Sequence, residues 1–227
     1  MKVYSESDIE EILSRAAARY DEVASLMSNF TDDNLVGMTS DEFHESLDEM
    51  LQVSDYEMEG YSEGDVSRQR GLSVNFTWGH DHDFGSRKLP GRLTDQHIVH
   101  MASFSAFCNL DLDFFKGKRV LDVGCWTGGT SLVLHALGAT VDAVEEVKKY
   151  ANTVKFLKDA YDLKGLNVID KSLYELNDEK YHNTYDVVYI PGVIYHLSDP
   201  LVALRILYNT CKIGGIILVE TAWANEV

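Results

Sequence analysis

The chain has 227 residues, 45% hydrophobic and 25% charged, ordinary values for a soluble globular protein and enough for one α/β domain with an appendage. Its net charge of −17 is uneven: residues 1–65 hold 18 acids and 3 bases (−15), whereas residues 66–227 hold 19 and 17 (−2), a balance that repels phosphate backbones and argues against nucleic acid. No apolar run approaches the roughly 18 residues of a membrane span, the acidic N-terminus is no signal peptide, and three cysteines without a CxxC point to a reduced cytoplasmic setting.

Residues 1–60 predict an acidic helical region. Ser7-x-x-Glu10 reads as a capping box, with Ile9, Ile12, Leu13, Ala16, Ala17, Tyr20, Val23 and Ala24 at helical spacing behind it. Thr39-x-x-Glu42 opens a second helix with Phe43, Leu47, Met50 and Leu51 on its apolar stripe. The acidic surface is either solvated or a face for a homodimer or a basic protein partner, and it contributes no cofactor ligands. Residues 61–115 read as a loop-rich lid or linker carrying a helix, punctuated from Gly60 onward by Gly64, Gly71, Gly79, Gly85, Pro90 and Gly91.

Residues 116–227 form the α/β domain. Apolar runs at 119–123, 140–144, 166–169, 186–190 and 215–220 predict strands, and helical patterns occupy 147–161 and 200–211. Strands joined by crossover helices make a doubly wound, mostly parallel sheet of Rossmann-like type, which binds ligands beyond the carboxyl ends of its strands. That rule gathers residues 122–129, 145–146, 170–174 and 191–196 around one crevice.

The loop after the first of these strands reads VLDVGCWTGGT. It lacks the GxGxxG of dinucleotide sites, and no GK[ST] makes it a phosphate-binding Walker loop. Asp122 at the strand end suits a cationic group better than a pyrophosphate. Glu145, which ends the second strand, stands where an acid takes ribose hydroxyls. An acid for ribose with an acid for an ammonium or sulfonium group suggests S-adenosylmethionine.

VLDVGCWTGGT, VDAVEE and YDVVYIPGVIYHLSDPL together resemble the motifs of the class I S-adenosylmethionine-dependent methyltransferases. GVIYHLSDPLVALRILYNTCKIGGIILVET is similar to the branch containing the tRNA wobble-uridine carboxymethyltransferases, and the likeness covers residues 118–221. The resemblance implies that Asp122, Gly124 and Gly128, with Cys125 and Trp126 between them, line the methionine part of S-adenosyl-L-methionine. It implies that Glu145 accepts both ribose hydroxyls, that Ser172 and Leu173 flank the adenine, and that Pro191 is a further cofactor-binding residue. Asp122 as a cap of the next helix, and Glu145 as a solvated strand end, are the bland alternatives. The family has glycine where Trp126 stands; a negative φ lets the ring turn away, packing over the cofactor or walling the substrate side. The resemblance also implies two further strands after GGIILVET, so the sheet is expected to lack them.

Tyr195 and His196, after the fourth strand, are placed to meet substrate, His196 as contact or base. The stretch FTWGHDHDFG, with His97 and His100 beyond it, is expected to fold over the crevice and to turn His80, His82 or His100 toward the transferable methyl group. Alternating His and Asp could also ligate a metal, but no HExxH or carboxylate triad is present, so no metal is expected. The expected activity is methyl transfer to a small molecule. Its alternatives are a tRNA-modifying (carboxy)methyltransferase, with Arg68, Arg70, Arg87, Lys88 and Arg92 as a basic strip, and a non-catalytic S-adenosylmethionine-binding subunit.

Overall fold

A computed structural model describes residues 5–51 and 76–222; Gly60, Gly64, Gly71, Arg68 and Arg70 lie outside the described residues. Helix α1 (Glu6–Leu26) starts at Ser5, whose hydroxyl accepts from Asp8 N at 3.2 Å while the Asp8 carboxylate accepts from Ser5 N at 2.8 Å. The expected box at Ser7 is displaced because Ser5-x-x-Asp8 is the same pattern two residues earlier and closes first. Helix α2 (Ser40–Leu51) has the expected box, with Thr39 N donating to Glu42 Oε2 at 2.8 Å and Glu42 N to Thr39 Oγ1 at 3.3 Å. A short antiparallel hairpin of β1 (His82–Asp83) and β2 (Lys88–Leu89) leads into α3 (Gln96–Cys108).

The sheet follows. Strands β3 (Arg119–Val123), β4 (Thr140–Val144), β5 (Leu166–Ile169), β6 (Tyr185–Pro191) and β7 (Cys211–Glu220) are ordered β5-β4-β3-β6-β7, and all pairs are parallel. Helices α4 (Gly129–Ala136), α5 (Lys148–Ala160) and α6 (Pro200–Thr210) make the crossovers, with 3-10 turns between β5 and β6. Val187, Val188, Tyr189 and Ile190 are all buried, as expected of a strand covered on both faces. β7 starts four residues before the expected strand because its ladder slips: Tyr185 pairs with Cys211, but Val187 already pairs with Ile216. The strand order reverses between β3 and β6, so the switch-point crevice opens between their carboxyl ends.

Alternate residues feed the two faces. Leu121, Val123, Val188 and Ile190 pack with Leu173, Leu176, Ala203 and Leu207 under α6. Val120, Val141, Val187 and Tyr189 face α4 and α5 and share one core with Val23, Phe30, Phe43 and Leu47. The N-terminal helices are therefore joined to the α/β body by buried side chains, each contributing about 1.5–3 kcal/mol. Phe43 stacks on Phe156 of α5 at 5.0 Å, and Tyr161 Oη donates to Phe30 O at 2.9 Å. Gly37 N donates to Ala160 O at 2.9 Å, an approach so close that a Cβ on Gly37 would lie 1.8 Å from Asp159 O. Arg15 of α1 donates to Ala106 O at 3.1 Å and to Asn109 Oδ1 at 3.0 Å, satisfying the carboxyl end of α3. Among the described residues no helix is long and apolar enough to cross a membrane.

Candidate functional site

The loop leaving β3 alternates backbone sign. Gly124, Trp126 and Gly128 have φ of +71°, +51° and +93°. This corrects the expectation that Trp126 keeps a negative φ: it occupies a glycine-type conformation, at a cost of about 1–2 kcal/mol for an L residue. Two contacts hold it there. Trp126 N donates to Glu145 Oε2 at 3.0 Å, and the indole lies edge-on to Tyr150 and His80, both at 5.9 Å between centroids. The ring is thus turned toward the segment before α3, where a Cβ on Gly79 would come within 2.8 Å of it.

Asp122, next to last in β3, is fully buried. Its Oδ2 accepts from Thr130 Oγ1 at 2.7 Å and Ser131 Oγ at 2.6 Å, while Oδ1 has no partner among the described residues. Burial raises its pKa to about 6 against those two hydrogen bonds. The side chain therefore fastens the first turn of α4 through two side-chain hydroxyls without capping the helix, which has no side-chain cap at Gly128, and keeps one oxygen unpartnered. Glu145 directly follows β4, Oε2 accepting from Trp126 N and Oε1 from Val147 N at 2.9 Å. Burial, opposed by these bonds, raises its pKa to about 7. It is not a solvated strand end. Each of its oxygens retains a lone pair after taking one N–H, so two ribose hydroxyls fit.

Ser172 caps the 3-10 turn Leu173–Asn177 at the end of β5, and Leu173 is buried against the second core. Cys125 is buried, its thiol pushed well above the ordinary range by desolvation, so it is packing rather than nucleophile. Pro191 ends β6 opposite Glu220 of β7. Tyr195 and His196 are exposed on the turn Ile194–His196 with rings 4.4 Å apart, and Val193 of the same loop lies against Gly124. A Cβ on Gly124 would meet Val193 at 2.5 Å, so this glycine serves the contact between the two loops as well as the turn.

The histidines separate. His82 turns into the N-terminal core, stacked on Phe84 at 3.8 Å with Nε2 3.0 Å from Phe30 O. That placement removes it from the crevice. His80 lies on the first turn of α4, where a Cβ on Gly129 would be 2.8 Å from its Nδ1. Gly79 N donates to Thr127 Oγ1 at 3.0 Å, fastening the same segment to the β3 loop. His100 reaches Glu220 Oε2 at 3.8 Å, and Glu220 Oε2 also accepts from Gly192 N at 2.9 Å. Glu220 was missed by sequence reasoning, although it ends a strand as Asp122 and Glu145 do. Among the described residues no group of three or more His, Cys, Asp or Glu is arranged to hold a metal. A cavity of about 620 Å³, lined by His182, Tyr208, Lys212 and Ile213 among others, opens at the opposite end of the sheet, away from these acids. Ligands of parallel sheets bind at the carboxyl ends, which is the end that carries these acids and not the cavity.

Residues 100–226 match a family described as methyltransferase domain. The chain is similar to a tRNA U34 carboxymethyltransferase of Helicobacter acinonychis (strain Sheeba), 39% identical over 111 residues that cover 47% of this chain and 41% of the relative. The protein of that name from Desulfotalea psychrophila is 30% identical over 107 residues, covering 47% and 33%. The chain thus spans less than half the length of these curated relatives. Among solved structures it is similar to a putative S-adenosyl-L-methionine-dependent methyltransferase of Methanococcus maripaludis, 17% identical, covering 52% of this chain and 59% of that one with a TM-score of 0.43. A putative sarcosine dimethylglycine methyltransferase of Galdieria sulphuraria is 18% identical, covering 53% and 48% with a TM-score of 0.46. With more than half of its length matched, and a parallel sheet carrying acids at the ends of β3 and β4, the chain belongs to the methyltransferase-domain family.

Proposed function

We propose that this protein is an S-adenosylmethionine-dependent methyltransferase whose cofactor lies across the carboxyl ends of β3, β4 and β5. The observation that carries this is the pair of buried strand-end acids, Asp122 with an unpartnered oxygen and Glu145 with spare lone pairs on both. Asp122 Oδ1 accepts the cofactor's ammonium group, and Glu145 accepts the two ribose hydroxyls. Leu173, at the end of β5, packs against the adenine, and Ser172 holds that turn through its capping box with Glu175. The positive-φ loop from Gly124 to Gly128 brings backbone close to the methionine part.

Bound S-adenosylmethionine supplies a methyl group already activated by its positive sulfur. The chain's own task is then to align a nucleophile and exclude water. The segment from Phe76 to Asp95 packs on the outer side of the loop through Gly79 and His80, and the turn carrying Tyr195 and His196 borders the other side. A small-molecule acceptor accords with the acidic surface, which gains nothing from a phosphate backbone. A second reading, methyl or carboxymethyl transfer to tRNA, is favoured by the printed names of the curated relatives.

The test is a transfer assay with methyl-tritiated S-adenosylmethionine, offered in parallel a small-molecule extract and bulk tRNA. Label in the small-molecule fraction alone is the expected result. Label in tRNA establishes the methyl-transfer form of the second reading, and label in neither fraction, with the cofactor bound, contradicts methyl transfer to either acceptor.

A further inference from the structure

One strand-end carboxylate has no part in the proposed cofactor contacts. Glu220 closes β7, the neighbour of β6 on the side away from β3, and its side chain is 36% exposed. Its Oε2 accepts from Gly192 N at 2.9 Å and lies 3.8 Å from His100 Nε2. Among the described residues His100 is its one ion-pair partner, with no Lys or Arg opposing it.

Open space adjoins this acid. Gly192 follows β6 with a φ of +69°, and a Cβ placed on it would lie 3.4 Å from Tyr195 Oη and 3.9 Å from Glu220 Oε2. Those are ordinary contact distances, and among the described residues no other atom beyond the adjoining ones comes within 4 Å. The phenol and the carboxylate therefore flank a gap over bare backbone. Tyr195 is 49% exposed, so the gap is reached from solvent. The next residue, Val193, touches Gly124 of the loop assigned to the methionine part of the cofactor. The gap thus stands one residue along the chain from the loop that would carry the methyl group.

We infer that Glu220 and Tyr195 form the methyl-acceptor subsite and that it takes an amine, cationic when free in solution. The inference rests on the cofactor assignment above and names the acceptor for the same crevice. A carboxylate that no Lys or Arg opposes repels an anion and holds an ammonium group by a charge-assisted hydrogen bond. The tyrosine ring beside it favours a cation as well. The transfer itself selects the same class. An ammonium group that binds first gives one proton to solvent. The lone pair of the neutral nitrogen then forms the new N–C bond while the S–C bond breaks, its electron pair staying on sulfur. Positive charge passes from sulfur to nitrogen, where the Glu220 carboxylate stabilises it, and the methylated amine leaves as an ammonium ion. An alcohol must instead lose its proton as it reacts, and Glu220 opposes the oxyanion that develops.

The test uses three probes of similar shape and different charge: phenethylammonium, phenethyl alcohol and phenylacetate. Each is titrated by calorimetry into the full chain saturated with S-adenosylhomocysteine. The expected result is that phenethylammonium binds at least about tenfold more tightly than either of the others. In Glu220→Gln, whose amide oxygen still accepts from Gly192 N, that preference should fall below about threefold while S-adenosylhomocysteine affinity stays within about twofold. A merely structural Glu220 would leave the charge preference in place. Equal or tighter binding of the alcohol or the anion overturns the inference, as does no binding of the ammonium probe or a preference retained in the variant. The order of the three probes on wild type decides if the variant does not fold. Failure of S-adenosylhomocysteine to bind would instead strike the cofactor reading, and the same titrations on the unliganded chain still decide the subsite. In the transfer assay, tritiated product retained by a cation exchanger at neutral pH supports the amine, and a neutral or anionic labelled product overturns it.

Discussion

Glu145 gives the sharpest prediction because its proton is linked to both folding and binding. Burial lifts its pKa from the ordinary 4.5 to about 7, a displacement of roughly 3 kcal/mol. For a value raised by folding, the stabilising contribution is complete below about pH 4.5 and is lost as pH rises through about 7. Ribose hydroxyls donating to the carboxylate favour its ionised form, so cofactor binding must expel that proton wherever it is still held. At pH 6.5 about three-quarters of the carboxyl groups carry it, and at pH 8.5 almost none. Asp122, raised to about 6, adds its own smaller share, so the informative quantity is the difference between wild type and Glu145→Gln. Calorimetry of S-adenosylhomocysteine binding in buffers of different ionisation enthalpy measures it. The predicted difference is about 0.8 proton at pH 6.5, disappearing at pH 8.5, with the variant binding about 1–3 kcal/mol more weakly. A difference below about 0.2 proton at pH 6.5 would refute the assignment of Glu145 to the ribose.

Three further outcomes are expected. Trp126→Ala loses the indole contacts yet keeps the left-handed backbone, so Trp126→Gly should be more stable than Trp126→Ala by about 1 kcal/mol in denaturant melts; the opposite order would show that the backbone is not held there. Gly37→Ala, with its Cβ driven into Asp159 O, should destabilise the whole chain by more than about 2 kcal/mol in a single transition, whereas a separate early transition would mean that the N-terminal helices unfold on their own. Arg119, half exposed, donates twice to the buried Asp142 carboxylate, which also accepts from Tyr185 Oη and Asn167 Nδ2, so Arg119→Met should cost about 1–3 kcal/mol, read by thermal unfolding; a loss under about 0.5 kcal/mol would show that Tyr185 and Asn167 suffice.

The strands were legible in the sequence because a parallel sheet buried on both faces leaves near-continuous apolar runs, and VLDV and VVYI are such runs. Asp122 and Glu145 stood out for the same reason, as acids closing those runs. What could not be read was geometry set by distant contacts. The positive φ of Trp126 depends on a carboxylate nineteen positions away and on rings of His80 and Tyr150. His82 and His80 look equivalent in FTWGHDHDFG, and an extended backbone would put them on one face, but the chain bends at His80 before β1 begins at His82, so one reaches Phe30 and the other Gly129. The acidic N-terminal stretch reads as an appendage by charge, whereas its buried Val23, Phe30, Phe43 and Leu47 belong to the main core.

The cofactor assignment is tested most directly by equilibrium dialysis of the full chain against tritiated S-adenosylmethionine, with unlabelled S-adenosylhomocysteine and NAD as competitors. One bound equivalent, displaced by S-adenosylhomocysteine, not displaced by NAD and weakened in Glu145→Ala, is the predicted result. Absence of binding, or displacement by NAD in preference to S-adenosylhomocysteine, would contradict it.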